Sequence, residues 1–97
     1  MPQLLTHDEI ETVLAAHPDW RVSADGLAFE RDYSFKGFTA AFGFMAQVAL
    51  ASERHNHHPE WSNVYNRVTI RWTTHASGGL TELDRKLVEK CDRFAND

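Results

Sequence analysis

Histidine is the residue type in this chain that could do chemistry. Six of its 97 residues are histidines, and His55, His57 and His58 fall within four positions, directly before Pro59. An unperturbed imidazole titrates near pH ~6.5, so it gives or takes a proton at neutral pH at little cost. Proline disfavours helical backbone at His58 and fixes its own φ, which makes this a stiff corner able to present imidazoles reproducibly. A further imidazole, His75, precedes a Gly78-Gly79 turn, with Asp84 behind it. Acid–base catalysis is one use of such a set. Metal binding is another, since His55, His57, His58 and His75 could supply nitrogens and Glu53 or Asp84 an oxygen. The spacing weakens that reading: no Cys pair and no His-Glu-x-x-His helix is present, so no metal is expected. Each residue also has a plain structural explanation. Histidines at a helix C-terminus complement the helix dipole. Asp84 is an ordinary capping acid for a helix that starts at Thr81, Glu53 a solvated helix residue, and Trp20 a core aromatic.

The elements that must position these groups follow from local signals. Thr6 and Glu9 form a capping box before a helix whose core face is Ile10, Val13 and Leu14, and Pro18 stops it by about Ala16. Trp20 to Ser23 and Leu27 to Ser34 flank Asp25-Gly26, a hairpin signal, with Leu27, Phe29 and Tyr33 expected on one face and Ala28, Glu30 and Asp32 on the other. After Gly37, a helix is expected from Phe38 to about His55. Its main stripe is Phe38, Ala41, Phe42, Met45, Val48, Ala49 and Ser52, and a surplus apolar face with Phe44 calls for a partner subunit. Trp61 to His75 is rich in β-formers but falters at Asn66, so it is one strand or two meeting near Tyr65-Asn66-Arg67. Thr81 then opens a last helix with inner face Leu83, Leu87, Cys91 and Phe94, where a thiol is inert packing. The order α-β-β-α-β-β-α predicts one α+β domain over residues 1–97, a four-stranded antiparallel sheet with three helices on one face.

Composition narrows the function classes. With 14 Asp plus Glu against 10 Lys plus Arg the chain carries a net charge of −4, which argues against a nucleic-acid partner. No apolar run approaches the ~20 residues of a membrane span, and Met1-Pro2-Gln3 opens no secretory signal. A single cysteine suits a reducing compartment, so a cytoplasmic protein is expected.

Glu53-x-x-x-His57-His58-Pro59, followed at fixed intervals by Tyr65, His75 and Asp84, resembles the signature of the pterin-4a-carbinolamine dehydratase family. Trp20, Phe42-Gly43-Phe44-Met45, Pro59-Glu60-Trp61, Asn63-Val64-Tyr65-Asn66 and Thr74-His75 extend the likeness over essentially the whole chain. The resemblance implies a hydro-lyase that removes water from a 4a-hydroxytetrahydropterin, giving a quinonoid dihydropterin in tetrahydrobiopterin recycling, with neither metal nor cofactor. It implies His57 and His75 as acids for hydroxyls on opposite faces of the pterin, His58 as a further catalytic and substrate-holding group, Glu53 and Asp84 as supporting carboxylates, and Trp20 and Pro59 as walls for the flat ring. His7, His17 and His55 receive no role. It also implies a homodimer joined through sheet edges, or a homotetramer joined in addition through the long helices, with Phe44 at the second contact. Relatives of this fold include non-catalytic binding and assembly proteins; the assembly-factor relatives tend to lose pocket histidines, whereas His57, His58 and His75 are all present here.

Overall fold

The computed structural model describes residues 2–96. Helix α1 spans His7–Ala16 and begins on the expected capping box, with Thr6 Oγ1 accepting from the Glu9 amide and Glu9 accepting from the Thr6 amide. Strands β1 (Arg21–Val22) and β2 (Phe29–Ser34) form the first hairpin, turned at Gly26 with φ +76°. Helix α2 occupies Phe38–His55, the span its periodicity predicts. Strands β3 (Glu60–Val64) and β4 (Arg67–Trp72) form a second hairpin, a 3-10 turn covers His75–Ser77, and α3 runs Glu82–Asn96. The sheet order is β1-β2-β4-β3, antiparallel throughout. Phe29, Tyr33, Val68, Ile70 and Trp72 are buried beneath the helices, whereas Thr69, Ser62 and Glu60 on the other face are exposed. Among the described residues, no helix is long and apolar enough to cross a membrane.

Four expectations need correction. Phe44 is not a surplus residue: it is 3% exposed and packs with ring centroids 4.7 Å from Tyr33 and 5.0 Å from Phe35. The buried stripe of α2 is Ala41, Phe44, Val48, Ala51 and Ser52, so the outward apolar residues are Phe38, Phe42 and Leu50. Leu27 and Ala28 exchange roles, Leu27 exposed and Ala28 buried. They precede β2 and belong to the turn, where Asp25 and Ser23 side chains accept the Leu27 and Ala28 amides, so strand alternation starts only at Phe29. The β-rich segment is two strands, but Tyr65, not Asn66, takes the left-handed conformation, with φ +51°. Asn66 instead ties the turn to the end of β2, its side-chain amide donating to the Phe35 carbonyl and its own carbonyl accepting from the Phe35 amide. Finally, β4 ends at Trp72 and does not run to His75.

His17, given no role from sequence, belongs to a hub around Asp92 of α3. The Asp92 carboxylate accepts from His17 Nδ1 at 2.7 Å, Trp20 Nε1 at 2.9 Å, Arg31 Nη1 at 2.7 Å and the Tyr33 hydroxyl. Burial by itself would raise the Asp92 pKa, but the bonds from Tyr33, Trp20 and His17, with the Arg31 charge, hold it below the usual carboxylate range. Burial, reinforced by the bond to Asp92, pushes the Tyr33 phenol above its ordinary value. One carboxylate thus joins the end of α1, the first hairpin and α3. Asp92→Ala strands four donors and should cost about 3 kcal/mol in urea denaturation, the range for breaking a buried pair. Because the folded pKa is depressed, the stabilisation from ionised Asp92 is complete above the unfolded carboxylate value of about 3.9 and is lost as pH falls through the folded one. The stability gap between wild type and Asp92→Asn should narrow across that acid window.

Candidate active site

The way α2 ends sets the direction of His57. Asn56 adopts left-handed backbone at φ +50°, its amide donates to the Glu53 carbonyl, and the His57 amide donates to the Ser52 carbonyl at 3.0 Å. This is a Schellman termination with asparagine in the position glycine usually takes. It turns the chain back so that the His57 ring lies against buried Trp72, centroids 5.7 Å apart and planes 18° apart. His57 Nε2 is 2.6 Å from Asp84 Oδ1, with the side chains 10% and 0% exposed.

The two oxygens of Asp84 do different work. Oδ2 accepts the Thr81 amide at 2.9 Å and the Thr74 hydroxyl at 2.7 Å. Because the single Thr74 hydroxyl proton goes to the carboxylate, the Thr81 hydroxyl donates to Thr74 Oγ1 across 2.8 Å. Oδ1 is left for His57. The capping role and the histidine-supporting role therefore hold together, one oxygen each.

Thr74 immediately precedes His75, which opens the 3-10 turn closed by Gly78 at φ +79°. The register pairs Glu60 with Arg71, so the start of β3 lies beside the end of β4. His57 and His58 stand just before β3 and His75 just after β4, which brings the three histidines to one end of the sheet, with half-buried Pro59 between the elements. Each ring meets a carboxylate through Nε2: His57 with Asp84, exposed His58 with Glu53 at 2.5 Å, and exposed His75 with Glu60 at 2.8 Å. Among the described residues, none of the three Nδ1 atoms makes a hydrogen bond. An imidazole that donates Nε2–H to a carboxylate keeps its Nδ1 lone pair as a base, and once protonated offers Nδ1–H as an acid.

Trp20 is not brought to this group. It is 3% exposed and donates to Asp92, two turns along α3 from Asp84. His55 ends α2, and its imidazole is held below its ordinary pKa by burial and by Lys90, Lys86 and Arg54. Burial pushes the Cys91 thiol up to about 12, which keeps it an unreactive packing group. Glu60 had no assigned role from sequence, although a two-residue turn at Tyr65-Asn66 already pairs position 60 with position 71. Among the described residues, no group of three or more His, Cys, Asp and Glu side chains is placed to hold a metal.

The family model described as pterin 4 alpha carbinolamine dehydratase matches residues 3–94. The chain belongs to the pterin-4a-carbinolamine dehydratase family. A relative from Chelativorans sp. (strain BNC1), provisionally named a pterin-4-alpha-carbinolamine dehydratase, is 50% identical over 96% of this chain and 95% of its own. One from Rhodospirillum rubrum with the same provisional name is 46% identical over 97% and 98%. A crystal structure from Brucella melitensis, described as a transcriptional coactivator/pterin dehydratase, superposes with a TM-score of 0.92 at 44% identity, covering 96% of this chain and 99% of that one. A pterin dehydratase-like protein identified as a RuBisCO assembly factor in the alpha-carboxysome has a TM-score of 0.69 at 20% identity, over 81% of this chain and 92% of its own. That last likeness extends to the fold alone.

Removing Asp84 leaves Thr74, the Thr81 amide and His57 without their buried acceptor, at about 1–3 kcal/mol per stranded group. Asp84→Ala should therefore lower Tm by about 12 °C at the least in a domain of this size, the low end of that range at about 4 °C per kcal/mol. His57→Gln, which keeps the cap on Oδ2, should lower it much less in the same calorimetric scan.

Proposed function

We propose that the chain is a 4a-hydroxytetrahydrobiopterin dehydratase, a hydro-lyase that works by histidine acid–base catalysis in tetrahydrobiopterin recycling. The observation that carries this reading is the buried His57–Asp84 pair, whose carboxylate also binds the residue before His75. Dehydration breaks the C4a–O bond and forms a C4a=N5 double bond. The departing oxygen takes a proton and leaves as water, and the N5 proton goes to a base. Both transfers need groups that can give and accept a proton, and three carboxylate-oriented imidazoles are groups of that kind.

In this scheme His57 and His75 protonate hydroxyls departing from opposite faces of the pterin. His58, steadied by Glu53, holds the substrate and assists, and Pro59 lines the ring. Trp20 acts through the Asp92 hub and not as a wall of the pocket. A purely binding role shares the fold but gives no reason for pairing every one of these imidazoles with a carboxylate. The single, deeply buried cysteine suits work in the cytoplasm. The chain self-associates in the same proposal, through the free edge of β3 and through the outward face of α2, where Phe38, Phe42 and Leu50 are 48%, 56% and 67% exposed.

His57→Ala and His75→Ala should each lower turnover of 4a-hydroxytetrahydropterin by ~10²-fold or more, with circular dichroism unchanged. Rates at the wild-type level in both folded variants, after subtraction of spontaneous dehydration, would sink the assignment. The double variant Phe42→Asp/Leu50→Asp should show a smaller mass than wild type by light scattering. A wild-type monomer at micromolar concentration excludes the self-association.

A further inference from the structure

The open face of the sheet carries charged residues that are directly paired across all four strands: Arg21 with Glu30, Glu30 with Arg71, and Arg71 with Glu60. Arg71 is the centre of this row. Its Nη1 is 2.9 Å from Glu30, its Nη2 is 3.4 Å from Asp25, and its Nε is 3.1 Å from Glu60 Oε1. Every nitrogen of the guanidinium is therefore engaged, by carboxylates from the first turn, β2 and β3, and the side chain is only 25% exposed. With Oε1 in ion-pair contact with Arg71, the other oxygen of Glu60, Oε2, lies 2.8 Å from His75 Nε2.

The contact with His75 would count for little in isolation. His75 is 81% and Glu60 51% exposed, and a free pair of that kind samples many rotamers and contributes little. The charge contact changes this, because a carboxylate drawn to a guanidinium that is itself hydrogen-bonded to Glu30 and Asp25 has less freedom to lose and accepts the imidazole at a smaller ordering cost. His57 obtains the same service from Asp84, which backbone and threonine donors hold in the interior. At the surface, where no such donors exist, cross-strand arginine replaces them.

We propose that Glu60 is a positioning residue for His75, anchored by Arg71, and that it fixes the Nε2–H form of the neutral ring so that Nδ1 is the nitrogen that exchanges a proton with the substrate. This rests on the dehydratase reading for the identity of the substrate, but the state of the ring can be measured without it. The test uses full-length protein with 15N-labelled histidine, as wild type, Glu60→Ala and Arg71→Gln. In neutral wild-type protein the His75 ring nitrogens should report one form, Nε2–H. Glu60→Ala should give a mixture of both neutral forms, and Arg71→Gln, which leaves Glu60 in place but unanchored, an intermediate mixture.

In dehydration assays, kcat should fall ~10-fold in Glu60→Ala and about threefold in Arg71→Gln, with KM within about twofold, the scale of lost ligand orientation in comparable outer-sphere pairs. A purely structural salt-bridge row would leave both the ring and kcat unchanged. A single Nε2–H form persisting in Glu60→Ala overturns the proposal whatever the activity, and so does a wild-type kcat in a variant whose ring has become mixed. A mixed ring in a protein that never dehydrates the pterin, even as wild type, supports the positioning and overturns the dehydratase reading instead.

Discussion

A carboxylate with no solvent exposure must be fully hydrogen-bonded or it destabilises the fold, and the site depends on how Asp84 meets that demand. One oxygen collects the amide of Thr81, the residue before α3, and the hydroxyl of Thr74, which locks the start of the helix to the exit from β4. The other oxygen then needs a donor, and His57 meets it. The imidazole arrives there because Asn56 ends α2 in left-handed backbone and Trp72 offers a flat surface for the ring. Stability and chemistry are not separable at this position: the interactions that start a helix also hold a proton carrier in a fixed orientation.

Much of this was legible in the sequence because it is local. The capping box at Thr6 and Glu9, the Asp25-Gly26 turn and the span of α2 need only residues a few positions apart, and each stands where its pattern places it. The histidines too were legible as a group, since His57-His58-Pro59 and His75 follow the spacing of a known signature. What could not be read was set by tertiary contact. Helical periodicity locates an apolar stripe but does not say which of two stripes faces the sheet, and the packing of Phe44 against Tyr33 and Phe35 decides that. The left-handed residue of the second hairpin is Tyr65, while Asn66 bonds to Phe35, a residue 31 positions away. His17 and Trp20 carried no sign of Asp92, which lies more than seventy residues further along the chain.

Helix α3 makes these long-range constraints one system. It carries Asp92 towards the first hairpin and Asp84 towards the end of the second, eight residues or about 12 Å apart along the axis. In each case donors from several elements converge on the carboxylate, and between the two acids Leu87, Val88 and Cys91 are buried in the core. The two ends differ in what surrounds the acid. Asp92 faces arginine, tryptophan, tyrosine and histidine together, so its charge is consumed in holding elements in place. Asp84 has only neutral donors on one oxygen, which leaves its charge for a single imidazole. Of these two acids on one helix, the one with the fewer charged partners is the one that meets a histidine at the end of the sheet. The histidines separate by place: His17 stands with Asp92 at the end of α1, whereas His57, His58 and His75 lie at one end of the sheet.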